Sequence, residues 1–378
     1  MQTEPPPPAI AETADLSIER KQAPDGGKGF PCSNCGAMML FEPGAQSLKC
    51  PYCGHEQAVP QAANEVHEIP FEQFARTSEV ATEVLEVVKG ERRCTGCGAM
   101  VTIPYNVATD LCPFCAKPME NPLSSATPMM APAGVLPFKI TEPQARGAFK
   151  QWISSRWFAP TTFRRMADLG RVSGLYVPYW TYDAMTWSFY TGSRGDYYYV
   201  TVGSGKDKRT ERRTRWTSVS GKVDQWFDDV LVCASKTLPG DLIAELEPWD
   251  VKEMQPFKPD FITGFRSERY QLSGEQGYVE AKVIMDDRIR SLIRRDIGGD
   301  EQSISEVRTQ YDGVTFKNVL LPIWLAAYQY HGKTFRVLIN ARTGEVQGTR
   351  PWSVWKITLT VIAGLLIVLI IIAIARGR

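Results

Sequence analysis

What the 378-residue chain lacks narrows it quickly. Charge of one sign is missing: 43 Lys and Arg stand against 42 Asp and Glu, a net +1, so no global field gathers nucleic acid or anionic lipid. The opening MQTEPPPPAIAETADLSIER has no apolar h-region and is not a signal peptide. A phosphate loop is missing too. Gly203-Ser204-Gly205-Lys206 would need a glycine where Val200 stands and a Ser or Thr where Asp207 stands. No D-E-x-H motor box occurs. Histidine is scarce: His55, His67 and His331 are all there is, and none is near Cys233 in sequence.

Cysteine is also sparse outside two places. Cys32-x2-Cys35 and Cys50-x2-Cys53 are followed, 62 residues later at every position, by Cys94-x2-Cys97 and Cys112-x2-Cys115. Both copies carry CGAM and a later C-P-aromatic-C, which marks an internal duplication. Paired C-x2-C turns joined by a short hairpin supply the four thiolates of a tetrahedral Zn²⁺ site. The ligands expected are therefore Cys32, Cys35, Cys50, Cys53, Cys94, Cys97, Cys112 and Cys115, holding two structural zinc ions. Gly36, Gly54 and Gly98 follow three of the four knuckles, where positive φ is needed, while Ala116 stands at the fourth. Four thiolates leave no open position for water, so catalysis at these ions is not expected. Basic residues are nearly absent here: only Lys49 lies between Cys32 and Cys53, and none between Cys94 and Cys115. Phosphate contact needs several, which favours a protein-contact or structural role.

One long apolar run exists, Ile357 to Ala375, nineteen residues without a charge. As a helix it spans about 28 Å, close to the ~30 Å of a bilayer core. Trp352, Trp355 and Lys356 flank one end, Arg376 and Arg378 the other, as interfacial anchors do. The simplest topology is a tail anchor with the body in the cytoplasm, where thiols stay reduced for metal.

The expected organisation is α+β with antiparallel sheet: a disordered lead (1–29), zinc ribbon 1 (30–59), a connecting segment (60–90), zinc ribbon 2 (91–120), a linker (121–134), an aromatic-rich α+β domain (135–350) and a transmembrane anchor (355–376). Phe71 to Lys89 fits either a short helix or a strand. Within the domain, a helix opens at Pro143 with Ala148, Trp152 and Ile153 near one face. Another runs from Tyr278 to about Asp296, with Tyr278, Ala281, Met285, Ile289 and Leu292 on one stripe. Strands are expected at 174–183, 197–202, 212–219 and 226–234, and a meander from Val314 to Val346. Leu175-Tyr-Val-Pro-Tyr-Trp180 resembles Leu320-Leu-Pro-Ile-Trp324. This reads as two similar α+β halves, or as a coincidence of aromatic-rich strands.

No catalytic constellation stands out. Cys233 lies in an apolar strand where a buried, inert thiol is usual. Adjacent Asp228 and Asp229 would point to opposite faces of a strand. A basic hairpin tip, Lys206 to Arg215, fits a solvated turn, anionic headgroups or an acidic partner.

The cysteine pairs, RGDYYYVTV, WFDDVLVCASKTLP, RRDIGGDEQ and VLINARTGEVQGTRPWSVWKI ahead of a terminal span together resemble a bacterial family of TFIIB-type double-zinc-ribbon, C-terminally anchored membrane proteins. Such proteins are often catalogued as primosomal protein N' (replication factor Y) or superfamily II helicase-like. The resemblance implies association with membrane-scaffold proteins of the band-7 and phage-shock type. The function expected is a non-enzymatic, tail-anchored adaptor at the cytoplasmic membrane face. A membrane-tethered nucleic-acid-associated factor is the alternative, and a hydrolase or redox enzyme using Cys233 or His331 a third.

Overall fold

The computed structural model describes residues 30–59, 66–73, 91–102, 112–115, 119, 130–161, 172–330 and 333–376. The lead, most of the connecting segment, most of the linker, Ala116 and His331 lie outside the described residues.

Three short strands, β1 (Leu40–Glu42), β2 (Ser47–Lys49) and β3 (Glu56–Ala58), close a small antiparallel sheet around the first cysteine module. The remaining strands join one large sheet. They are β4 (Ile69–Pro70), β5 (Glu91–Arg93), β6 (Met100–Thr102), β7 (Gly134–Val135), β8 (Ser173–Val202), β9 (Arg209–Cys233), β10 (Gln255–Pro256), β11 (Arg266–Glu268), β12 (Glu301–Tyr330), β13 (Lys333–Asn340) and β14 (Val346–Gly348). Helices are α1 (Glu142–Ser154), α2 (Gly240–Ala244), α3 (Pro259–Ile262), α4 (Gly274–Ile297) and α5 (Val354–Arg376). The pairing is mostly antiparallel, as expected. β8 with β11 and β12 with β7 are short parallel exceptions.

The expected strands prove to be fragments of much longer ones. β8 and β12 each run 30 residues and pair with one another from Gly195↔Glu301 to Ser173↔Leu325. At ~3.3 Å per residue each spans roughly 100 Å. The break in alternation comes from bulges, at Tyr182/Ala184 against β9 and at Asp312/Thr315 against β8, which let the strand bend without ending. The two prolines are accommodated by a change of neighbour. Pro178 falls where β8 passes from β11 to β9, and Pro322 where β12 passes from β7 to β13. Their carbonyls still accept, from Ala234 N (2.9 Å) and Ala341 N (3.2 Å). The two similar stretches of sequence thus occupy equivalent places, side by side and antiparallel. Each belongs to a helix, long strand and returning strand: α1-β8-β9 and α4-β12-β13.

The alternation of the central strands sends side chains to two faces. Tyr176, Leu320, Trp324, Val337 and Ile339 face one way, packing with α1 and the first cysteine module. Leu175, Val177, Val319, Leu321, Ile323 and Leu338 face the other, packing with α2 and the second module. The sheet is therefore held between its two modules. The described apolar residues of each module are too few to make a core of their own, and they complete the sheet's instead. The end of the linker is likewise structural, because Gly134 and Val135 form β7 inside the sheet.

Helix α1 is capped by Gln144 Oε1, which accepts from Thr141 N (2.8 Å), and buries Ala145, Phe149 and Ile153, with Trp152 half-buried at the edge. Helix α4 begins four residues before the expected start. Ser273 and Gln276 cap each other's backbone N–H groups (both 3.3 Å), and Gly298 ends the helix at φ 64°. Its buried stripe continues through Ile293 and Ile297 rather than Leu292. Gly277 is required: a Cβ there would stand 2.5 Å from the Tyr182 hydroxyl. α4 covers one face of the arm formed by the distal halves of β8 and β9 and the early half of β12. α5 is the one described helix long and apolar enough to cross a membrane, with hydropathy 3.2 and no burial.

Candidate metal centres

Three of the four cysteine pairs are shaped, among the described residues, by the turn that follows them. Gly36 N donates to Cys32 O (2.8 Å), Gly54 N to Cys50 O (3.0 Å) and Gly98 N to Cys94 O (3.0 Å). These glycines lie at φ 74°, 73° and 74°, a region that side chains disfavour. Cys32 N, Cys50 N and Cys94 N then donate to Ala37, His55 and Ala99 carbonyls, closing each knuckle.

The eight expected ligands come together as two groups of four. Sγ–Sγ separations are 3.5 Å for Cys32–Cys53 and Cys35–Cys50, 3.4 Å for Cys94–Cys115 and 3.6 Å for Cys97–Cys112. Four sulfurs ~2.3 Å from a tetrahedral ion would stand roughly 3.8 Å apart. A disulfide needs ~2.05 Å. Each group could hold one metal ion, consistent with zinc. The second is more enclosed: Cys94, Cys112 and Cys115 are buried, whereas Cys35 and Cys53 of the first are exposed.

Protons are unevenly shared among these thiols. The backbone N–H of His55 leads in lowering Cys53 to about 6, against the opposing effect of burial. A hydrogen bond with Cys112 leads in lowering Cys97 to about 5, and raises Cys112 in turn. A cation bound here would be held by Cys32, Cys35, Cys50 and Cys53, or by Cys94, Cys97, Cys112 and Cys115, and its binding would release the protons those thiols still carry. Of the described histidines, neither joins a group: His55 Nε2 lies 3.0 Å from Ser33 Oγ, and His67 is exposed.

Of the catalytic candidates, Cys233 has its thiol pushed up to about 12, chiefly by burial, with Sγ 3.9 Å from Ser235 O. Asp228 is exposed. Asp229 takes φ 51° at a bulge and reaches a cluster the sequence did not suggest. Lys317 Nζ bonds Asp229 Oδ1 (2.8 Å) and Glu68 Oε1 (3.0 Å), Thr315 Oγ1 donates to Glu68 and Asp183, and Asp183 Oδ1 accepts from Asp229 N (2.5 Å). Burial pushes Asp183 up to about 6. Burial also raises Glu68, but the Lys317 ammonium outweighs it and leaves that carboxyl low. The signal available was an acid, Asp183, inside an aromatic strand, and a lysine, Lys317, inside an apolar one. A second unforeseen pair is Arg342, buried, chelating Asp250 at 2.7–3.1 Å and donating to Pro137 O (2.9 Å).

No family model and no solved structure matches the chain. Among curated proteins it is similar to the uncharacterized protein YdjG of Bacillus subtilis (strain 168), 24% identical over 330 residues, 87% of this chain and 91% of that protein.

Proposed function

We propose that the protein is a non-enzymatic adaptor, anchored in the cytoplasmic membrane by α5, whose two zinc-filled modules clamp the sheet and whose arm engages a protein partner on the cytoplasmic side. The outer face of the arm carries this reading. α4 covers one face, while Phe189, Trp216 and Trp226 on the other are 48%, 49% and 54% exposed. Strand pairing sets Trp226 beside Met185, Lys222 beside Phe189 and Trp216 beside Gly195, so these side chains share one surface. Exposed aromatic surface ringed by charge is characteristic of protein contact sites. The thiolate sites favour a reducing compartment. The resemblance to anchored double-zinc-ribbon proteins points to a membrane-scaffold partner of the band-7 or phage-shock type.

Co-purification from detergent-solubilised membranes tests this reading. A Phe189→Ser/Trp226→Ser chain should lose its partner while keeping about two zinc ions. Retention of the partner by that variant would sink it.

The arm also supports the nucleic-acid reading, because Arg212 stacks 4.2 Å over Tyr197 and Arg215 5.3 Å over Tyr198 near its tip. A DNA titration at two salt concentrations separates them. The adaptor should show no steep dependence, whereas phosphate contacts give a slope near −0.9 per contact.

A further inference from the structure

A cavity of about 370 Å³ lies in the seam where the first cysteine module meets the rest of the molecule. The module lends Gln46 and Val59 to its lining. The body lends the chain after β7, the 3₁₀ turn Val251–Glu253, α3 and Arg342 just past β13. Backbone bonds hold these pieces in place: Lys139 N donates to Ala341 O (3.0 Å) and Glu253 N to Asp250 O (2.9 Å). Gln46 sits at φ 51° in the turn between β1 and β2, and its Nε2 donates across the seam to Phe138 O (2.5 Å). The volume falls within the ~300–1,000 Å³ usual for small-molecule sites.

The lining divides by chemistry. Val59, Pro137 and Phe261 are apolar and buried. Lys139, Lys252 and Arg342 are cationic, against the single carboxylate of Glu253. Arg342 is the fixed cation, its side chain 3% exposed. It donates to Pro137 O through Nη1, to Asp250 through Nε and Nη2, and to Glu253 through Nη2. A guanidinium carries five N–H groups, so one on Nη1 is left over. Lys139 Nζ reaches Glu253 at 3.7 Å. Among the described residues Lys252 has no carboxylate partner. With Asp250 counted behind Arg342, three cations face two carboxylates, and one positive charge is unmatched. An apolar wall opposite one unmatched cation suits an organic anion of single charge better than phosphate or a neutral molecule.

We infer that this seam binds a small monocarboxylic acid, whose carboxylate meets Lys252 and Arg342 while its apolar body lies against Val59 and Phe261. Such a ligand touches both sides of the first module's dock, so its binding tightens that dock. The site is separate from the aromatic face of the arm and does not depend on the partner proposed there.

Benzoate is the probe, added to the full chain in detergent solution and followed by saturation-transfer NMR of its ring. Binding should be saturable. Benzamide keeps the ring without the charge and should bind roughly tenfold more weakly. Acetate keeps the charge without the ring and should lose at least about as much. Lys252→Gln should weaken benzoate roughly fivefold, and Lys252→Arg should restore most of that. Lys252 is exposed, so neither variant disturbs packing. Benzoate should also slow hydrogen exchange at Phe41 N–H, which donates to Thr263 O (3.1 Å) between the module and the body. Lys252→Gln should reduce that slowing at the same benzoate concentration, which separates the seam from benzoate dissolved in detergent. The inference is overturned by an absence of saturable binding, by benzamide binding as well as benzoate, or by a Lys252→Gln chain as tight as the parent. Equal affinity for inorganic phosphate would leave a bare charge site and overturn it too.

Discussion

The two cysteine modules share their spacing and their knuckles, yet they join the molecule by different means. The first closes its own sheet, β1–β3, and docks mainly through side chains. Phe41 packs at 5.6 Å and 6.4 Å from Phe261 and Phe265, with one backbone bond, Phe41 N to Thr263 O (3.1 Å). The second is continuous with the central sheet, because β6 pairs with β11, which pairs with β8. Arg336 Nε then donates to Phe114 O (2.6 Å) from the far side. A side-chain dock can loosen while the module stays folded. A shared sheet cannot. Duplication of a sequence has duplicated the four-cysteine group without duplicating its coupling to the rest of the chain.

The largest expected effect follows from that contrast. Metal binding in such small modules supplies folding free energy of order 10 kcal/mol. Cys97→Ser should lose one of two metal ions and shift the main thermal transition of the solubilised full chain, since β5 and β6 leave the sheet with the metal. Cys35→Ser should also lose one ion but shift that transition less. Equal shifts in the two variants would break the comparison. Next in size, Phe41→Ala should cost about 3–4 kcal/mol by leaving a cavity in the first dock. Metal content should stay near two, and loss of an ion would mean that dock and site are one unit. Arg336→Gln should cost only about 1–2 kcal/mol by orphaning the buried Phe114 carbonyl. Faster hydrogen exchange should be confined to the second module and β13; a change spread over the first module would contradict their separate placement.

The smallest effect concerns the stretch between the modules, where Glu68 meets Lys317 and Asp183. Asp183 is raised from 3.8 to about 6, by burial first and then by Glu68. A folded-state pKa above the unfolded one means that the contribution is present below about pH 4 and is lost as pH rises through about 6. Asp183→Asn should therefore melt with a flatter pH dependence between pH 4 and pH 6. A variant as steep as the parent chain would show that burial of Asp183 does not set that slope.

The two four-cysteine groups were legible because C-x2-C spacing and a 62-residue repeat are local statements about chain geometry. The apolar run of α5 and the four-residue recurrence of Ala281, Met285 and Ile289 are local in the same sense. The docks were not legible. Phe41 and Val101 look like minor module residues until Phe261 and the β6–β11 pairing meet them, and nothing in their neighbourhood records so distant a partner. Strand length was hidden for a different reason. A bulge slips the alternation at Asp183, and Pro178 suggests an end, because the sequence does not show that the neighbouring strand changes there. Lys317 and Arg342 were hidden because an apolar strand gives no sign that a charge within it has carboxylates waiting.

The pairing of early residues with late ones also sets a schedule. Phe114 waits 222 residues for Arg336, and Glu68 waits 249 for Lys317. At ~5–20 residues per second of synthesis, the second module spends roughly 10–45 s in the cell before its far-side partner exists. Until β11 is made, Val101 has no strand of the central sheet to pair with. A nascent chain that has already captured metal would pass this wait as a compact knuckled hairpin; one that has not would pass it as loose thiols and bare apolar surface.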